Sequence, residues 1–164
     1  MDVEVIDDFL PNNQFKGIER TLMGDLMPWY FNPYVVYEGD GKCQFTHVFY
    51  NTAPPWNGKS SPLFDLWMPC IQKLKCHGLN RIKANLTQRT VFHRKSQHHI
   101  DIKDMLTAIF YINTCNGYTR FKGGSNVKSV ANRMVIFDSN LPHSGVTCTN
   151  GQVRVVVNFN FTRA

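Results

Sequence analysis

The chain has 164 residues, 43% hydrophobic, 13% aromatic and 18% charged, a composition ordinary for one globular domain able to hold its own core. No run approaches the ~18 apolar residues a membrane span needs. The opening Met1-Asp2-Val3-Glu4 is acidic and lacks the basic-then-apolar pattern of an export signal, so the expectation is a cytoplasmic protein. The net charge of +6 and pI near 9.2 favour anionic partners in general. The basic residues are scattered, however, and read as a solvated surface rather than a nucleic-acid stripe.

In chain order, Val3 to Phe9 reads as a first strand. Asn12-Asn13 then offers a cap to a helix with apolar positions at Phe15, Ile18, Leu22 and Leu26. Tyr34 to Tyr37 and Gln44 to Tyr50 read as strands around a Glu38-Gly39-Asp40-Gly41 turn, and Asn51 to Ser61 as a loop. A second helix is predicted with Ser61 as cap, Pro62 at its first position and a stripe of Leu63, Leu66, Trp67, Cys70, Ile71 and Leu74. Pro69 should kink it and Gly78 should cap it in the left-handed conformation. Beyond Leu79 the chain is β, with candidate strands Arg81 to Leu86, His98 to Asp101, Met105 to Ile112, Ser125 to Val130, Met134 to Phe137 and Val153 to Phe161. Many short strands after an N-terminal helical section predict a mainly β sandwich or jelly roll with helices on one face. The five cysteines, an odd number without CxxC, predict reduced thiols.

Chemistry concentrates in His99-Ile100-Asp101 and the later His143. Strand alternation sends His99 and Asp101 to one side and Ile100 to the other, with His98 out of phase. Two imidazoles and one carboxylate hold one face of an octahedral metal and leave the opposite face open, the ligand set of non-haem Fe(II) oxygenases. A His and an Asp two apart also form plain hydrogen bonds, so this pair alone is weak. His143 strengthens it, because Leu141-Pro142-His143-Ser144-Gly145 follows an apolar strand and a jelly roll brings such a junction beside an earlier strand mouth. His47 reads as a strand residue, and His77 and His93 as surface or capping residues. Arg154, on the last β run, adds a planar fork suited to a carboxylate.

Five ordered stretches carry a resemblance. They are His98-His99-Ile100-Asp101, Ala108 to Asn113, Asn116 to Phe121, Asn132 to Ser139, and His143-Ser144-Gly145 followed by Arg154. From Arg81 to Phe161 the chain resembles the 2-oxoglutarate/Fe(II)-dependent dioxygenases, in particular their prolyl-hydroxylase-like branch and small oxygenases encoded by bacteriophages. The resemblance implies a double-stranded β-helix, cupin-like, in one domain over 1–164. Residues 1–80 would supply helical support and strands, and 81–164 the catalytic jelly-roll core. It implies Fe(II) on His99, Asp101 and His143, with 2-oxoglutarate and O2 as co-substrates and ascorbate as the reductant in vitro. Arg154 would bind the C5 carboxylate of 2-oxoglutarate, Tyr111 would hydrogen-bond the same group, and Asn85 is an open candidate for a further polar contact. Phe110, Phe137, Val155 and Val157 are candidate walls, of which strand phase lets only some face inward.

Two departures stand out. Asn116-Gly117-Tyr118-Thr119 occupies a stretch where many relatives carry an acidic residue after paired glycines, which bears on substrate contact. The tail from Arg154 faintly resembles the arginine-asparagine-arginine ending of AlkB-type nucleic-acid demethylases, but its spacing does not fit. A protein or peptide substrate, prolyl in particular, is favoured by the resemblance; nucleic acid and small metabolites stay open. A phage-encoded enzyme would work in the host cytoplasm. Residues 28–60, with Trp29, Tyr30, Phe31, Tyr34 and Trp56, are read equally as a substrate rim or as packing for the helical face. A non-catalytic cupin-like metal-binding module is the competing reading, and a metal-dependent hydrolase lacks a clear general base.

Overall fold

A computed structural model describes residues 3–163, so Met1 and Asp2 of the acidic N-terminal reading lie outside the described residues. In chain order the elements are β1 (Glu4–Ile6), α1 (Asn12–Leu22), β2 (Tyr30–Asn32), β3 (Gln44–Asn51) and β4 (Gly58–Lys59). A 3-10 turn (Phe64–Trp67) leads into α2 (Met68–Leu74), followed by β5 (Cys76–Gln88), β6 (Leu106–Tyr111) and β7 (Tyr118–Phe121). The chain closes with β8 (Asn126–Lys128), β9 (Arg133–Asp138), β10 (His143–Val146) and β11 (Val153–Arg163). Among the described residues no helix is long and apolar enough to cross a membrane.

The strands form two antiparallel sheets, as the jelly-roll expectation requires. The major sheet runs β1-β9-β6-β11-β5-β3-β2, with β4 paired to β3, and the minor sheet runs β10-β7-β8. The last strand, β11, lies at the centre between β6 and β5. Its side chains alternate by the two-residue period: Val155, Val157, Phe159 and Phe161 join Phe15, Ile18, Leu22, Trp67, Cys70 and Leu74 in the core under the helices. A second apolar cluster, built from Ile109, Tyr111, Phe121, Val127, Val135, Phe137 and Val156, fills the space between the sheets.

Several local expectations change. Pro11, not an asparagine, precedes α1; its carbonyl accepts from the N–H groups of Gln14 and Phe15, and its φ of −51° suits a helix start. The helix stops at Leu22, so Leu26 stands 92% exposed instead of continuing the apolar stripe. Tyr34 to Tyr37 is no strand: the Asp40 carboxylate accepts from the backbone N–H groups of Val35, Val36 and Lys42 and folds the segment into a turn. Pro69 does not kink a helix, because it occupies the first turn of α2, where the missing N–H costs nothing. The left-handed cap is Lys75, with φ 55°, and Gly78 lies within β5 instead. There a Cβ would sit 2.8 Å from the Thr162 hydroxyl that accepts the Gly78 N–H.

The segment His98 to Asp101 forms a single bridge, His99 to His143, rather than a strand. Conversely, β7 and β10 arise where the sequence reads as turn and junction, because they pair with each other to build the minor sheet. All five cysteines are free.

Candidate metal centre

His99 and His143 are joined by two backbone hydrogen bonds, His99 N–H to the His143 carbonyl and the reverse, each 3.0 Å. This bridge sets the two imidazoles side by side, ring centroids 4.8 Å apart. Phe137 packs against His143 from behind at 4.8 Å. Each Nδ1 faces a carbonyl, that of Gln97 at 3.3 Å for His99 and of Leu141 at 3.1 Å for His143. A carbonyl only accepts, so Nδ1 carries the proton in both rings and each Nε2 keeps its lone pair. Both Nε2 atoms point at Asp101, 3.9 Å from Oδ1 and Oδ2 respectively. The three donor atoms lie within 4.8 Å of one another, the only such cluster of His, Cys, Asp and Glu among the described residues.

The electrostatics suit a divalent cation. Burial pushes the Asp101 carboxyl up, but Arg81, the two imidazoles and Asn160 outweigh it and hold the group below the usual carboxylate range. Burial, with the neighbouring His99, pulls His143 down against the attraction of Asp101, so its ring is neutral at pH 7. An ionised carboxylate and neutral imidazoles are the protonation states a metal needs. Arg81 Nη2 lies 3.2 Å from Asp101 Oδ1, and Asn160 Nδ2 donates to Oδ2 at 3.3 Å. Arg81 Nε also donates to Asn160 Oδ1 at 3.0 Å, and Asn160 donates to Thr107 at 3.0 Å, so the clamp on Asp101 is itself clamped.

The triad opens onto a cavity of about 530 Å³ between the two sheets. Its floor is the inward face of β5 and β11, paired in rows: Thr87 with Arg154, Asn85 with Val156, Lys83 with Asn158, Arg81 with Asn160. At the far end Arg154 is buried, 5% exposed, with Nε donating to Ser129 at 2.8 Å and Nη2 to Thr119 at 3.0 Å. No carboxylate among the described residues pairs with it. Burial pulls its basicity down, yet a guanidinium stays charged at neutral pH, so this end of the cavity holds an uncompensated cation. Gly117 makes room for it, since a Cβ there would lie 2.7 Å from Arg154 Cδ. The departure at Asn116-Gly117 therefore serves the arginine.

Tyr111 is fully buried behind this end, with its ring 5.6 Å from the Arg154 guanidinium and its hydroxyl donating to Thr119 Oγ1 at 2.8 Å. The Thr119 hydroxyl, which also lines the cavity, thus stands between Tyr111 and the open space. Asn85 lines the floor beside Val156. Of the candidate walls, Phe110, Val155 and Val157 face the helices and Phe137 backs His143, while Ile109 and Val156 are among the apolar residues that line the cavity. Tyr34 lines the cavity and Trp29 packs on the helical core, so the aromatic segment divides between the two. Arg81, Lys83, Thr119, Ser129, Asn158 and Asn160 went unnoticed in the sequence; the alternation of polar residues along both strands was the available signal.

Lys83 is distinctive among them. Burial first, then the like charge of Arg81, pull its ammonium down to about 8 against the attraction of Asp101.

No family model and no curated protein sequence matches the chain. Solved structures do match. The viral collagen prolyl hydroxylase of Paramecium Bursaria Chlorella virus-1, in its 2-oxoglutarate complex, superposes with a TM-score of 0.58 at 14% identity, covering 99% of this chain and 96% of that one. A 2OG-Fe(II) oxygenase family oxidoreductase from Burkholderia pseudomallei gives a TM-score of 0.69 at 7% identity, covering 99% and 86%. A prolyl hydroxylase from Trichoplax adhaerens, in complex with a hypoxia inducible factor peptide fragment, gives 0.59 at 14% identity, covering 97% and 83%. The chain thus has the double-stranded β-helix fold found in 2OG-Fe(II) oxygenases and prolyl hydroxylases.

Proposed function

We propose that the chain is a 2-oxoglutarate- and Fe(II)-dependent oxygenase that hydroxylates a C–H bond, with a peptidyl prolyl residue as the favoured target, releasing succinate and CO2. One observation carries this reading: a single cavity holds an ionised carboxylate, two imidazoles with free Nε2 lone pairs and a buried guanidinium lacking a carboxylate partner. Bound together, iron, 2-oxoglutarate and O2 supply the oxidative decarboxylation that drives hydroxylation. The residues of the chain do the rest. His99 Nε2, His143 Nε2 and Asp101 would hold Fe(II), with Arg81 and Asn160 fixing the carboxylate's orientation. Arg154 would bind the distal carboxylate of 2-oxoglutarate, its guanidinium aimed by Ser129 and Thr119 and backed by Tyr111. Ile109 and Val156 keep the space between dry, which strengthens each of these interactions.

A non-catalytic cupin-like metal site leaves the buried charge of Arg154 without a purpose. A metal-dependent hydrolase needs a general base beside the open metal face, and among the described residues Asp101 is the only carboxylate lining the cavity. The peptide target is supported by the Trichoplax relative, whose structure contains a peptide. A viral protein among the structural relatives is consistent with a phage origin.

The test is succinate formation from 2-oxoglutarate with Fe(II), ascorbate and O2, alongside anaerobic titration of the Fe(II)·2-oxoglutarate absorbance band. Neither succinate nor the band from intact protein sinks the reading.

A further inference from the structure

The cavity carries more positive charge than iron and 2-oxoglutarate would use. Lys42, Arg81, Lys83, Arg89, Arg94 and Arg154 line it, against the single carboxylate of Asp101. Arg81 is committed to Asp101, and Arg154 to the co-substrate in the oxygenase reading. The other four form no ion pair among the described residues.

They also come from separately anchored pieces of backbone. Lys83 sits on the floor of β5, one row from the clamp on Asp101. Lys42 follows the turn built on Asp40, and its ammonium donates to the Lys95 carbonyl at 3.2 Å. Arg89 is tied by its backbone N–H to the Gln152 carbonyl, and Arg94 by its own to the Thr147 hydroxyl. Their backbones are held around one cavity, so an anion among the four cations is favoured. Asn158 lies opposite Lys83 on the same floor.

We propose that this part of the cavity is the substrate site and that it takes an acidic peptide, with carboxylates on either side of the target residue meeting Lys42, Lys83, Arg89 and Arg94. What happens to the peptide after binding rests on the oxygenase reading; its recognition does not. Single-stranded nucleic acid would bring negative charge too, but the lining does not suit its bases. Base recognition uses aromatic platforms. Here Tyr34 is the only Phe, Tyr or Trp in the lining, beside aliphatic residues such as Val35, Ile100 and Ile102 that suit peptide side chains.

The experiment is fluorescence anisotropy of rhodamine-labelled, proline-centred peptides on the full chain loaded with Mn(II) and 2-oxoglutarate. Three peptides differ only in flanking residues, Asp/Glu, Asn/Gln or Lys, and an unlabelled oligothymidylate competes. The expected result is at least ~10-fold tighter binding of the acidic peptide than the neutral one, a margin that shrinks with salt. In Arg89→Glu/Arg94→Glu, with its fold checked by circular dichroism, that preference should vanish or invert toward the Lys-flanked peptide. Equal binding of acidic and neutral peptides by the unaltered chain overturns the proposal, whether or not the variant folds. Displacement of the acidic peptide by oligothymidylate of equal charge at lower concentration overturns it in favour of nucleic acid. Because no turnover is read, absence of succinate in the separate assay removes the oxygenase reading and leaves the peptide preference measured.

Discussion

The two faces of the β5–β11 pair are built from neighbouring residues of the same strands and behave oppositely. Toward the helices lie Ile82, Ala84, Val155, Val157, Phe159 and Phe161, all buried and all apolar. Toward the cavity lie Arg81, Lys83, Asn85 and Thr87 facing Arg154, Val156, Asn158 and Asn160, with three cations among eight residues. The first face supplies stability through apolar burial. The second gives some of that up, holding desolvated cations: Arg81 is paired with Asp101, while Lys83 and Arg154 have no carboxylate partner among the described residues. Substitutions on one face should therefore move folding, and on the other, binding and turnover.

The largest effect is expected at Asp101→Ala: turnover falls by more than ~1000-fold and Fe(II) affinity by more than the ~10- to 100-fold typical of outer partners. The variant also strands the Arg81 guanidinium, so the metal-free chain should lose some Tm as well, and thermal unfolding without metal separates that loss from the loss of metal binding. Phe159→Ala is the converse. It removes a ring with no exposed surface that packs edge-on against Trp67 at 5.5 Å, so a loss of about 3–5 kcal/mol in urea unfolding is expected. Arg154→Ala should raise the 2-oxoglutarate requirement roughly 30- to 100-fold, the worth of one charge-assisted pair at about 2–3 kcal/mol, while Fe(II) binding persists. An unchanged requirement would show the carboxylate binds elsewhere.

Lys83→Met sharpens the contrast most, because it should stabilise. The ammonium titrates near 8 in the fold, below the ordinary lysine value of 10.5. Below about pH 8 folded and unfolded chains both carry the proton, and the full penalty of a partly buried charge is present. Between about 8 and 10.5 the unfolded chain binds more protons, so stability rises with pH there. The variant should gain on the order of 2 kcal/mol at pH 7, shrinking toward pH 10.5, as read from urea midpoints at both pH values. A constant gain at both would assign the effect to packing alone.

The clustering of His99, Asp101 and His143 was legible because it is carried by residue type and local phase: His99 and Asp101 two apart, and His143 after an apolar strand. The strand status of His98 to Asp101 was not, since a single bridge to His143 holds that segment. Leu26 and Pro69 misled for a similar reason. Apolar periodicity continues past Leu22, where the first helix stops, and a proline reads as a kink until the helix start is known. Tyr111 reads as a carboxylate ligand in one dimension; in three, its hydroxyl goes to Thr119.

Residue order by itself determined a β-rich chain, a triad able to hold iron and an arginine fit for a carboxylate, because composition, two-residue alternation and side-chain chemistry are local properties. Only the tertiary structure decided which residues share a row across β5 and β11, and so that Arg81 and Asn160 clamp Asp101. It also decided that lysines and arginines scattered through the sequence meet around one cavity. Register and sheet order arise from contacts between residues as far apart as Arg81 and Asn160, and no local pattern encodes those pairings.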